Sequence, residues 1–247
     1  MEQETRENGL SQEPRHIRLQ HQLRGSFTTV YLTTVSIIQA VVLGDLAGVT
    51  ASGYEHFTVL QWLMVPINFF LIFLIWNHYM TDSIAMEWIP GFSDSVFPFS
   101  FGAIELFLNH AILLGLTAWL VGWTVFAAGG LVGARFLMWK AKQETTDTQL
   151  LRLFVSRQAG YMWQALTGLV LFLLLALSSF VGHFGATNEE GGMQRAFAIG
   201  TVVVVALWVG FMALHAIRYW HDLMEYTRTG QLPPSRGGAG LLHEATG

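Results

Sequence analysis

Four stretches of the chain are apolar for twenty residues or more: Phe27–Val49, Thr58–Tyr79, Tyr161–Gly182 and Ala196–Trp220. A hydrocarbon core about 30 Å thick needs roughly 20 such residues in a helix, so each run is long enough to cross a bilayer. A fifth region, 95–139, carries no charge except Glu105 and Arg135. It is too long for one span and has no obvious loop. Charged residues make up only 12% of the 247 residues, against about 25% in soluble domains. The spectrum of folds therefore narrows to an all-α integral membrane protein.

The number of spans follows from parity. Lys and Arg near span ends mark the cytoplasmic side. Twelve of the 13 basic residues fall in three zones. Arg6, Arg15, Arg18 and Arg24 precede the first run; Arg135, Lys140, Lys142, Arg152 and Arg157 lie mid-chain; Arg218, Arg228 and Arg236 lie at the end. Arg195 is the exception. An even number of helices must separate the first two zones if they share a side. Region 95–139 then holds two helices with a tight turn near 114–117. The expected fold is a six-transmembrane-helix bundle with cytoplasmic N- and C-termini in the plasma (inner) membrane. Its spans are 27–49, 58–79, 95–113, 118–139, 161–182 and 196–220. Residues 1–26 form a polar basic tail and 221–247 a second tail, disordered at its Pro- and Gly-rich end. The acidic segment 80–94 is a loop or, from the spacing of Met80, Ile84 and Trp88, a helix lying flat on the membrane. The polar first segment lacks the apolar core of a cleavable signal, so the first run is expected to act as a signal anchor.

Direction of travel turns residue number into depth at about 1.5 Å per residue. Gln39, Asn68 and Glu105 then fall near the midplane on three successive spans, with Asp45, Asn109 and His110 closer to the outside. Glu105 and Asn109 are four apart and share a helix face. An ionisable group in a membrane interior is costly and normally faces the bundle with a partner. No Lys or Arg shares the depth of Glu105. The carboxyl is thus protonated, bonded to amides such as Gln39 or Asn68, paired with His110, or a binder of a passing cation. A carboxyl balanced between two protonation states exchanges protons. These six residues form an expected proton or cation track, for transport or sensing. The alternative for Gln39 and Asn68 is interhelical glue.

Histidines offer a rival chemistry. His78 and His215 lie toward one side and His110 and His183 toward the other, as two bis-histidine haems would require. The outer pair with Asp45 and His56 is also a candidate zinc site. No HExxH occurs. His215, Tyr219 and Asp222 share one face of HAIRYWHD, as a helix end at the headgroups also would. Without cysteine, thiolate ligands and nucleophiles are excluded.

Gly129 and Gly133, one turn apart, allow close helix packing, within the chain or between copies in a homo-oligomer. There is no Walker A motif, no GxGxxG and no GxSxG, and the polar segments are too short for a soluble catalytic domain. The expected class is a non-enzyme without a cofactor, or else a membrane scaffold. Dispersed basic residues fit anionic inner-leaflet lipids rather than nucleic acid.

Overall fold

The computed structural model describes residues 15–85, 92–145, 147–185 and 191–231. Among these, every regular element is a helix: α1 (Arg15–Gly53), α2 (Val59–Ala85), α3 (Phe92–Leu114), α4 (Leu116–Glu144), α5 (Thr148–Gly185) and α6 (Gly191–Thr229). All six are long and apolar enough to cross a membrane.

Cross-helix contacts fix the directions. Gln61, Asn68 and Trp76 of α2 hydrogen-bond to Ile112, Asn109 and Ser36 respectively. The reversed order against α3 makes α2 antiparallel to it, while Gln39–Glu105 and Asp45–Asn109 make α1 and α3 parallel. Gly122 faces Leu108 and Gly133 faces Phe97, so α4 runs back along α3. Thr117 bonds Ser179 while Gly130 faces Ala165, which reverses α5 against α4. Gly160 meets His215 and Gly168 meets Trp208, reversing α6 again. The helices alternate in direction, and the bundle closes through contacts of α1 with α2 and α3 and of α2 with α6.

The α3–α4 reversal is made at Gly115 alone, with φ 100°. A residue with a Cβ is strained there, and glycine is not. The turn expected near 114–117 is this one.

The core is aromatic where α4, α5 and α6 meet. Fully buried Trp123 packs against Trp119, Phe126, Phe172 and Trp208 at ring separations of 5.5–5.9 Å, three of them edge-on. Such pairs contribute about 0.5–1.5 kcal/mol each beyond area burial. Outward faces are apolar too: Ile37, Phe70, Phe99, Val125, Leu174 and Leu207, one from each helix, are exposed. Helices apolar on both faces suit a lipid solvent rather than water.

All six helices outrun their expected spans, four of them by six residues or more at one end. α1 begins at Arg15, inside the segment read as a tail, and α6 continues to Thr229. α2 reaches Ala85, so Met80 and Asp82 belong to a helix and not to a loop; Trp88 lies outside the described residues. α5 starts at Thr148, thirteen residues before the expected 161. Its first turn is capped by Asp147, whose Oδ1 accepts from the backbone N–H of Gln149 and Leu150. Hydropathy marks where a helix leaves hydrocarbon, not where it stops. A helix continues when its polar groups find partners in the bundle, as Asp82 and Arg157 do.

Candidate functional site

Two polar assemblies lie inside the bundle. The first sits between α1, α2 and α3 and contains all six residues expected to form the track. Gln39 Nε2 donates to Glu105 Oε2 at 3.0 Å, both side chains being buried. The remaining oxygens, Gln39 Oε1 and Glu105 Oε1, are buried without a partner. One turn along α3, Asn109 Nδ2 donates to Asp45 Oδ2 at 3.1 Å and to the Val42 carbonyl at 3.0 Å. Asn109 Oδ1 accepts from Asn68 Nδ2 at 3.3 Å, and Asn68 Oδ1 accepts from Trp119 Nε1 at 3.0 Å. His110 Nε2 lies 3.1 Å from Asp45 Oδ1. His110 is exposed and Asp45 half-buried, which opens this end of the assembly to the surroundings.

The partners differ from the expected ones in detail. Among the open alternatives for Glu105, the bond is to Gln39. His110 turns to Asp45 and Asn68 to Asn109. Period 3.6 explains the split: Glu105 and Asn109 share a face, whereas His110 points about 100° away. Trp119, near a span end, reads from the sequence as an interfacial ring. It is fully buried instead.

The second assembly lies toward the end that holds Arg15 and Thr229, and sequence reasoning did not anticipate it. Asp82, read as a loop residue, is only 4% exposed. Its Oδ2 takes both His78 Nε2 at 3.2 Å and Gln158 Nε2 at 3.1 Å. Arg157, read as a loop cation, is 6% exposed. Its guanidinium donates to the His215 carbonyl and the Tyr161 hydroxyl, and stacks 4.4 Å from the Tyr161 ring and 4.5 Å from the Tyr219 ring. Arginine tolerates such a site because its planar fork bonds in-plane while its faces stack. The signal in the sequence was the i, i+4 spacing of His78 and Asp82 and the three-residue spacing of Gln158, Tyr161 and Gln164.

Tyr79 lies between the two assemblies. It is buried, its ring 6.1 Å from Tyr31 and 6.5 Å from Phe101.

The histidine pairs divide. His78 and His215 both approach the Tyr161 ring, at 4.5 and 5.0 Å, so that ring stands against each imidazole. The His183 side chain lies outside the described residues. Among the described residues, no group of three or more His, Asp or Glu side chains is placed to hold a metal ion. Gly129 and Gly133 face Phe101 and Phe97 of α3 within the chain, at ordinary contact distance.

No known protein family, no curated protein and no solved structure matches this chain.

Proposed function

We propose that the protein lies in the plasma (inner) membrane with both termini cytoplasmic, and that it conducts, transports or senses protons or a small cation through the assembly on α1–α3. Glu105 is the exchanging carboxyl. Gln39 holds it, Asn68 and Asn109 order the next turn, and Asp45 with exposed His110 connects it to the outer face. The orientation is supported by the basic residues that the chain carries near the start of α1, around the α4–α5 turn and near the end of α6.

One observation carries the reading. Gln39 and Glu105 share a single hydrogen bond, yet the second oxygen of each is buried without a partner. A proton on Glu105 Oε1 is the donor that this pair lacks, so the carboxyl has reason to take one up. The large majority of buried side-chain polar atoms in folded proteins have a partner. A pair serving only to glue two helices needs no ionisable member, because two amides would satisfy each other.

Reconstitution in liposomes loaded with a pH-sensitive dye tests this. An imposed proton or potassium gradient should dissipate faster with wild type than in empty vesicles. Glu105→Gln, which preserves shape and removes the exchangeable proton, should abolish the difference. Unchanged flux in Glu105→Gln vesicles would refute the role of Glu105.

A further inference from the structure

A cavity of about 100 Å³ opens beside the second assembly, lined from all six helices. Most of its wall is apolar, including Phe97, Phe101, Phe126 and Trp208. A volume of this order suits the polar head of a molecule rather than a whole lipid; a 150 Å³ cavity accommodates benzene. Four polar atoms of residues lining it are buried and have no partner: Asp82 Oδ1, Gln158 Oε1, Gln164 Oε1 and Trp208 Nε1. Three accept and one donates. The neighbouring His78 and Gln158 nitrogens are already engaged at Asp82 Oδ2.

This pattern selects a chemical group. An ammonium only donates and would leave the indole unanswered. A carboxylate or phosphate only accepts and would face Asp82. A hydroxyl gives one hydrogen bond and takes others.

A second hollow adjoins the cavity. An apolar groove of about 1060 Å³ runs between α2 and α6, lined by exposed Phe70, Phe73, Val203 and Ile217. Leu74 and Ala216 line both the groove and the cavity. An apolar tail in the groove and a head in the cavity would be continuous past these two side chains. Ligand sites of this kind are mostly apolar with a few placed polar groups.

We propose that the cavity binds the head of a neutral, hydroxyl-bearing amphiphile that enters from the bilayer between α2 and α6. A long-chain lipid alcohol and a membrane-soluble phenol share this chemistry. The site is separate from Glu105, so it stands whether or not that carboxyl moves protons.

The test uses the full chain in nanodiscs of one synthetic phosphatidylcholine. Three brominated probes of equal chain length are added: a fatty alcohol, an alkylphenol and a hydroxyl-free alkane. Bromine quenches tryptophan fluorescence, and the component lost in Trp208→Phe reports the cavity. At least one hydroxyl probe should quench that component saturably, at a mole fraction about tenfold or more below the alkane. The better of the two identifies the source as lipid alcohol or phenol. Ala216→Leu, which narrows the passage, and Gln164→Leu, which removes an unpartnered acceptor at similar volume, should each weaken quenching about tenfold. An alkane that quenches as well as both hydroxyl probes overturns the proposal. So does Gln164→Leu protein that keeps its thermal midpoint and binds like wild type; this variant decides the matter if Ala216→Leu fails to fold.

Discussion

The Gln158 amide of α5 donates to Asp82 of α2 at 3.1 Å, with both side chains buried. The backbones of these two helices scarcely touch, so this bond is a tie across the bundle. Gln158→Leu keeps the volume and leaves Asp82 with His78 alone. Stripping a buried acceptor of a partner costs about 1–3 kcal/mol. The unfolding midpoint in a sodium dodecyl sulfate titration should fall accordingly, and an unchanged midpoint would mean that Asp82 finds another donor.

Gln39 is expected to matter to function through Glu105. Gln39→Leu removes the only donor to that carboxyl among the described residues while leaving the helix contact apolar. Proton flux in liposomes should drop roughly tenfold, the scale of one charge-assisted hydrogen bond. Trp119→Phe, which breaks the bond to Asn68 one turn away, should cost about 1 kcal/mol of stability and leave flux within a factor of about two. Equal flux losses in both variants would point to a general loosening of the bundle.

Asp147 gives a pH-dependent prediction at the α4–α5 turn. The Tyr226 hydroxyl, together with the Leu150 and Gln149 backbone N–H groups, holds its carboxyl below the usual aspartate range. A depressed folded value means that the stabilisation is fully present above the ordinary range and is lost as pH falls through the folded value. Wild type should therefore melt above Asp147→Ala at pH 7, and the gap should close below about pH 4. A gap that is the same at pH 7 and pH 3 would show that the ionised form is not what matters.

Two glycines on neighbouring helices should behave oppositely. A Cβ at Gly168 would lie 2.7 Å from Trp208, whose ring is held by Trp123 and Phe172. Gly168→Ala should cost about 1–3 kcal/mol through overpacking. At Gly129 the nearest atom is 3.4 Å away, so Gly129→Ala should be neutral or gain up to about 1 kcal/mol of helix propensity. The same denaturant titration ranks them, and the reverse order would place the close helix approach at GGLVGA after all.

That contrast shows how far sequence spacing reaches. Gly129 and Gly133 announce themselves by a four-residue interval, but the tight cross-helix contacts occur at Gly102, Gly122, Gly160 and Gly168, which face larger side chains of the adjoining helix. Spacing within one helix says which residues share a face. It does not say what the neighbouring helix puts opposite them.

The polar residues divide along the same line. Gln39, Asn68 and Glu105 stood out because they interrupt long apolar runs, and helix rise converted their numbers into matched depths. Asp82 and Arg157 did not, because each lies in a polar stretch where a loop is the natural reading. Their burial depends on α2 and α5 continuing beyond the apolar segments and meeting there.

By itself the sequence determined that the chain is helical, that six helices are long and apolar enough to cross a membrane, and that a tight turn falls near 114–117. Those follow from hydrophobic length, charge parity and a fixed rise per residue, all local quantities. Only the tertiary structure decided that Glu105 meets Gln39, that His110 meets Asp45, and that Asp82, Arg157 and Gln158 gather beside a cavity. Partner choice depends on the rotation and lateral order of helices. Both are set by aromatic packing around Trp123 and by short-range hydrogen bonds that no periodicity encodes.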